Sequence, residues 1–510
     1  MKHSEVGVIR CMQLGHVLMV ALLALLLFHV TGVCQDFIVS INAPFEWDYP
    51  EGIVLQQAAL IPGPGMYGIW HGLPFIACNY PPLYYLLVHA ARLLEPNLLA
   101  AGRLVSASAT LLTAPVVAGL VLIATRRPDR PIAWIELGSA VIVGLLVLCL
   151  HAFRLWGAVM RVDTLAVALS MLGVLVAAWA DSRFWGTVVA LLLCVAAVFT
   201  KQTQLSAGIA VFVIALVRNP RGALGAAALA GGVGMAVLGL VQWLTAGGFL
   251  YNITAYNVNK FFFGQVYLVF MREATSLPFA ILIFMAVPEL FMKSLGHSLA
   301  GAITRFRREG RVSGARATLL LYFILASITL IGVFKAGSNF NYFLEWLCVG
   351  CVLIGVYLCD IVRAERGRRF LLIMAFLYLG VVLMPHRQFP GRFSPEVIER
   401  QQALVQRIAA AEKPVASENL TLLMQAGKPM IFEPEGTDLL ALGAWDETPV
   451  IRLIRSHGFA FMITADNVQG GSHRRTPAFD QAMREAYPRV EQIDLPSKSS
   501  DGLWLHLPPG

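Results

Sequence analysis

The chain has 510 residues, of which 57% are hydrophobic and 14% charged, with a formal net charge of +8. A soluble domain carries nearer a quarter charged residues, so an ordinary water-soluble globule is excluded and a multi-span membrane protein is expected. The basic excess invites a nucleic-acid reading, but the cations sit in loops between apolar runs, where they report membrane orientation instead.

The first apolar run, 14–34, is about long enough to cross a bilayer. No A-x-A-like site follows it, only "HVTGVCQD", so it reads as an uncleaved first span. Next comes a segment of 35–98 read as the first external loop. It opens with "APFEWDYPEG", which sets Glu46, Asp48 and Glu51 close together, and no Lys or Arg lies between Arg10 and Arg92. Cys34 and Cys78 both fall near this loop, where a disulfide is compatible with the sequence; the other cysteines read as small core residues. The stretch 82–94 makes only about 20 Å of helix, too short to span, and is expected to lie on the outer surface with Tyr84 and Tyr85 at headgroup depth.

Ten further apolar runs follow, near 99–125, 132–153, 164–180, 185–199, 203–217, 222–244, 278–293, 317–334, 344–362 and 369–384. The expectation is an all-α polytopic membrane domain of about eleven transmembrane helices over 1–384. Alternate loops carry the Lys and Arg, among them Arg126, Arg127 and Arg130, then Arg183, then Arg218 and Arg221, then the basic stretch 293–316, then Arg363 to Arg369. That alternation predicts a cytoplasmic N-terminus and, after eleven spans, an external tail. Within the tail, 385–510, short apolar strands alternate with helix patterns such as "FSPEVIERQQALVQRIAAAE", which predicts a small C-terminal α/β periplasmic domain. It carries no glycine fingerprint, nucleophile elbow or metal cluster, so it reads as a capping or acceptor-positioning domain.

Ionisable residues in a membrane region are costly, so their places are informative. Here they gather at the outward turns: His151, Arg154, Arg161 and Asp163; Lys201 and Gln202; Tyr256, Asn257, Asn259, Lys260 and Arg272; Lys335, Asn339, Asn341, Tyr342 and Glu345; with Arg103 near the outer start of the second span. A transporter would place such groups near the midplane. Groups at the outer boundary suit a substrate with its tail in lipid and an anionic head, and Lys201, Arg161 and Lys335 are candidates to hold a phosphate. Each is also readable as a snorkelling or ion-paired structural residue. The acids at 46–51 suit a general base towards an acceptor hydroxyl, or a divalent cation held by Glu46 and Asp48; the plainer reading is a solvated acidic loop.

The order "FEWDYPEG", "NYPPLYYLL", "AGRL", "RVDTLA", "TKQTQ" and "GSNFNYFLE" resembles the GT-C superfamily of polyprenyl-phosphate-sugar-dependent glycosyltransferases, a group that includes the protein O-mannosyltransferases and the aminoarabinose transferase of lipid A. Within it the motifs, with the tail's "SEN…AGKP", resemble a bacterial branch of glycosyltransferase-like membrane proteins. The resemblance implies an external active site, a polyprenyl-phosphate sugar donor, an envelope acceptor and often inversion at the anomeric carbon. The family's variable acidic motif is matched by Glu46-Trp47-Asp48 as ExD, which makes Asp48 the expected base, with Glu51 placed to position the acceptor or a metal; the doublet DE of some relatives is missing. Asp163, Asn79, Tyr80, Asn339, Asn341 and Tyr342 are the expected substrate-binding residues. The implied setting is the bacterial inner membrane, with the lipid bilayer and no nucleic acid as partner. Two rivals are a lipid-linked-glycan flippase, which requires a polar opening at the inner face, and a non-catalytic glycan-binding scaffold.

Overall fold

The computed structural model describes residues 2–63, 65–69, 72–126, 130–257, 261, 264, 277–295, 310–335, 338–387, 389, 394–432, 440, 443, 445–465, 468, 475–495 and 502–510. Asn259, Lys260, Arg272, Arg127 and most of the basic stretch 293–316 lie outside the described residues.

The first helix, α1 (Lys2–Asn42), is 41 residues long. At 1.5 Å per residue that is about 60 Å, twice the hydrocarbon thickness. Nothing in the run breaks a helix until Pro44, so α1 continues eight residues beyond the expected start of the external loop and carries Asp36 and Ser40 out with it. A short turn then leads to α2 (Tyr49–Leu60) and α3 (Leu83–Ala91). The expected surface role of Tyr84 and Tyr85 is overturned: both are fully buried. Tyr84 donates to Gly102 O at 2.9 Å and meets Ser106 Oγ, while Tyr85 donates to Gln57 Oε1. Phenols with internal acceptors have no need of a headgroup layer.

The membrane region continues through α4 (Leu98–Thr125), α5 (Trp134–Cys149), α6 (His151–Ala158), α7 (Asp163–Ala180), α8 (Phe184–Val198), α9 (Ser206–Arg218), α10 (Pro220–Leu244), α11 (Gly248–Thr254), α12 (Leu277–Leu295), α13 (Arg311–Thr329), α14 (Phe343–Arg363) and α15 (Gly367–Val382). Every apolar run named from the sequence falls on a helix. Among the described residues, six helices are long and apolar enough to cross a membrane, and α5 with α6, bent by 58° at their junction, would make a seventh. The chain is a multi-pass membrane protein; α8, α9 and α15, at 13–16 residues, are short for a full crossing. One large core joins α1, α4, α5, α7 and α12–α15, with α14 the most enclosed of the described spans. All eight cysteines are free thiols, so Cys34 and Cys78 are not bridged.

The tail adds α16 (Pro395–Ala410), α17 (Leu420–Gln425), α18 (Thr448–Arg455) and α19 (Pro477–Ala486) around a four-stranded sheet, β1 (Ala416–Ser417), β2 (Met462–Thr464), β3 (Arg489–Ile493) and β4 (Leu503–Leu507). The order is β1-β2-β4-β3, with β1 parallel to β2 and the other pairs antiparallel. Its core is shared with the first loop: Ala43, Phe45, Ile53 and Ile76 pack with Leu404, Ile408, Leu420 and Leu505. Phe75 bridges Phe432 in parallel. The tail and the first loop therefore sit at one end of the bundle. The start of α1 packs at the opposite end, where a side chain on Gly367 would meet Val8 O at 2.6 Å. That far end holds the ion pairs Arg316–Asp360 and Arg363–Glu136.

Candidate active site

The three acids that the sequence sets within six residues face three different surroundings. Glu46 turns towards the tail, where its Oε2 accepts from Thr421 Oγ1 at 2.9 Å and from Thr421 N at 3.4 Å. Although part of its surface is exposed, the surrounding protein desolvates the carboxyl and, helped by the nearby charges of Glu51 and Asp48, pushes its pKa up to about 8 against the pull of the Thr421 hydrogen bonds. Asp48 is half-buried and precedes α2 in extended conformation without capping that helix through its side chain. Glu51 is fully buried and pairs with the fully buried Arg103 through two hydrogen bonds, at 2.7 and 2.8 Å. Arg103 is the "AGRL" arginine; its lone cationic position in an apolar helix was the sequence signal, but its partner was not readable.

The second half of the site is a hub around Asp163, the first residue of α7. Its Oδ1 accepts from Lys201 Nζ at 2.6 Å and from Asn341 Nδ2 at 2.8 Å, and its Oδ2 accepts from Arg161 Nε at 3.3 Å. The carboxylate also lies at a helix N-terminus, where the backbone dipole favours negative charge. Three turns, separated by as many as 178 residues, thus meet on one carboxylate. Arg161 continues to Tyr80, donating from Nη2 to the phenol oxygen at 3.2 Å, with its guanidinium 5.7 Å from the ring centre. Lys201 Nζ lies 4.9 Å from the centre of the Tyr342 ring. These cation–ring contacts add roughly 0.5–2 kcal/mol each where water is excluded.

The acid loop and the hub are electrostatically joined. Burial alone would lower the Arg161 pKa, but Tyr80, Asp163 and Asp48 outweigh it and hold the guanidinium above its ordinary value. Burial likewise opposes the charge on Lys201, and Asp163 reverses that, raising it. Lys335 shifts the other way, lowered first by burial and then by the positive charge of Lys201. It donates to Asn257 O at 3.1 Å, so it lies near the hub without joining its carboxylate. Around the hub the cations Arg161, Lys201 and Lys335 face the carboxyl groups of Asp163, Asp48 and Glu345. An ammonium has three donors, and Lys201 spends one on Asp163.

Among the expected substrate-binding residues, Asp163, Tyr80, Asn341 and Tyr342 belong to the hub. Asn79 stands beside it, accepting through its backbone oxygen from Gln202 Nε2 at 2.9 Å. Asn339 caps the short turn Phe340–Tyr342 that delivers Asn341, accepting from Phe340 N at 3.0 Å. Among the described residues, no hydrogen-bond donor meets the buried side-chain oxygens of Asn79, Gln202 and Asn341. Arg154 lies elsewhere, paired with Asp36 at 2.5 Å and donating to His386 O at 2.8 Å. The cation expectation fits poorly: Glu46 is turned to Thr421, Glu51 is spent on Arg103, and among the described residues no group of three or more His, Cys, Asp or Glu is arranged to hold a metal ion.

No protein-family model and no curated protein sequence matches the chain. Solved structures do. ArnT from Cupriavidus metallidurans, bound to undecaprenyl phosphate, superposes with a TM-score of 0.57 at 14% identity, covering 94% of this chain and 97% of that one. The archaeal oligosaccharyltransferase AglB from Archaeoglobus fulgidus, in complex with an inhibitory peptide and a dolichol-phosphate, gives 0.48 at 11% identity, covering 90% of this chain and 72% of that one. The chain therefore has an ArnT-like fold over nearly its whole length, as the motif resemblance implied.

Proposed function

We propose that this protein is a membrane glycosyltransferase that moves a sugar from a polyprenyl-phosphate donor to an envelope acceptor at the outer face of the bacterial inner membrane. The observation that carries the reading is the gathering of Arg161 and Lys201 on Asp163, with the charge of Asp48 acting on that same Arg161. A phosphodiester donor brings a negative charge to a cluster that holds Arg161, Lys201 and Lys335. The ArnT-like fold, seen with undecaprenyl phosphate in the related structure, supports a lipid phosphate as the ligand.

In this reading the donor's chain lies in the bilayer and its phosphate faces Lys201, Arg161 and Lys335. Asp48 accepts the proton of the acceptor hydroxyl. The acceptor oxygen bonds to the anomeric carbon as the bond from that carbon to the phosphate oxygen breaks, with inversion, and polyprenyl phosphate leaves with one more negative charge. Cations already in place stabilise that developing charge without reorganising. A general base contributes typically 10²–10⁴ in rate. Glu46 and Glu51 take no part in the proton transfer, and no step uses a metal. The arginines Arg316, Arg363 and Arg369, which flank short loops at the end opposite the site, support a cytoplasmic N-terminus and an external tail.

The test is purified protein in lipid nanodiscs with a panel of polyprenyl-phosphate sugars and envelope acceptors, reading release of free polyprenyl phosphate. Release with at least one donor is the expected outcome. No release from any donor, with the protein folded, would remove the reading.

A further inference from the structure

Sugar transfer as proposed needs Asp48 and the Arg161–Asp163 turn, which lie on separate segments, to keep a fixed separation. We infer that Glu51 and Arg103 form a clamp that sets this separation, acting as positioning residues; the inference rests on the functional reading above.

The clamp is saturated. All five N–H donors of Arg103 have an acceptor: Nε gives to Glu51 Oε1 at 2.7 Å, Nη2 to Glu51 Oε2 at 2.8 Å and to Phe45 O, and Nη1 to Ser40 O at 2.5 Å and Ala43 O at 2.6 Å. Glu51 is equally used: beyond Arg103, its Oε2 accepts from Trp47 N at 2.9 Å and its Oε1 from Met160 N at 2.7 Å. One ion pair therefore fixes the end of α1, the loop before α2, α4 and the turn before α7. Trp47 is the residue before Asp48, and Met160 is the residue before Arg161. Each half of the proposed chemistry is one peptide unit from the same carboxylate.

A second tie points the same way. Ser106, one turn beyond Arg103 on α4, donates to Arg161 O at 3.0 Å and accepts from Arg161 N at 3.2 Å. The backbone of Arg161 is thus held from both sides while its guanidinium stays available to the hub. Stability alone is a weak reason for such a pair, because a buried ion pair is often matched by well-packed apolar residues. Register between segments is what apolar packing would not supply, since only directed hydrogen bonds define where the Trp47 and Met160 amides sit.

The experiment uses full-length Glu51→Gln in nanodiscs, with Asp360→Asn as a control that breaks an arginine–carboxylate pair at the far end of the bundle. Two readouts are taken: amide hydrogen exchange, and polyprenyl phosphate release with kcat and KM separated. In Glu51→Gln, exchange in peptides covering 43–48 and 158–162 should accelerate about tenfold or more, and other peptides should stay as in the parent protein. kcat should fall about 10–100-fold with KM for the donor changed less than about threefold, the signature of misplacement instead of lost binding. Asp360→Asn should leave kcat unchanged. Arg103→Lys, which keeps the charge but not the fork, should reproduce both effects if Glu51→Gln does not fold. Unchanged exchange in the two peptides, exchange raised throughout the chain, unchanged kcat, or failure of both variants to fold would each overturn the clamp. If the parent protein releases no lipid phosphate, the functional reading fails, and the exchange result still decides whether the pair holds both segments.

Discussion

Asp163 has two cations and an amide on one carboxyl group, so its replacement affects more than a single bond. In Asp163→Asn, Arg161 and Lys201 would face each other with no carboxylate between them, a loss of about 3–5 kcal/mol by the usual cost of breaking a buried pair. The expected result is a marked fall in thermal midpoint and loss of transfer; an unaltered midpoint would show that the hub is not a unit. Lys335 behaves differently. It makes one carbonyl contact, and its charge is opposed by burial and by Lys201. If a lipid phosphate is what relieves that crowding, Lys335→Met should raise KM for the donor roughly 10–100-fold, the range for a hydrogen bond to a charged group, with a smaller change in kcat. At this scale the sequence marked which ionisable residues gather at the turns but not how they pair. "RVD" and "TKQ" were legible as ionisable groups at outward turns. That Asp163 is the shared partner of both cations was not, because the pairing spans 38 residues and depends on how α7 and α8 pack.

Elements explain why the acid loop is ordered. The extension of α1 to Asn42, the start of α2 after Asp48 and the seating of α17 against Glu46 leave little freedom between them. A methyl on Gly52 would lie 2.4 Å from Glu46 Oε2 and 3.1 Å from Leu420 Cβ, so α2 and α17 approach as closely as glycine allows. The Glu46–Thr421 contact should also respond to pH. With Glu51 and Asp48 as neighbouring acids and burial as the main cause, the folded carboxyl titrates near 8, above its ordinary 4.5. An acid whose pKa rises on folding favours the folded state when protonated, so this contribution is complete below about 4.5 and is lost as pH climbs towards 8. Divided by the intrinsic base-catalysed rate at each pH, hydrogen exchange in a peptide covering 418–425 should lose protection between those limits, and Glu46→Gln should flatten that response. A flat response in the parent protein would contradict the assigned burial. The burial of Tyr84 and Tyr85 belongs here too: hydropathy marked 82–94 as too short to span, but whether such a helix lies on lipid or under a loop depends on partners from α2 and α4 that no local pattern reveals.

At the scale of the whole molecule, hydropathy reads well from the sequence because the bilayer imposes it on every span separately. Each apolar run is a helix, the tail is a small sheet with helices, and the ion pairs Arg316–Asp360, Arg363–Glu136 and Arg369–Glu289 lie at the end away from the first loop. The number of crossings is less direct, since α8, α9 and α15 are short and α5–α6 is bent. Helix length in lipid is adjusted by tilt and neighbours, which composition does not encode. The fold is shared with ArnT at 14% identity, so what is retained between the two is the arrangement of elements far more than the side chains. Sharing a fold leaves the chemistry to be decided at the site. In the proposed transfer, Asp48 takes the proton of the acceptor while the hub holds the departing phosphate. The most direct measurement is polyprenyl phosphate release by Asp48→Asn in nanodiscs, alongside its thermal midpoint and its binding of undecaprenyl phosphate. Release should fall by about 10²–10⁴, with midpoint and binding preserved. Release at the parent rate from a folded Asp48→Asn protein would contradict that role of Asp48.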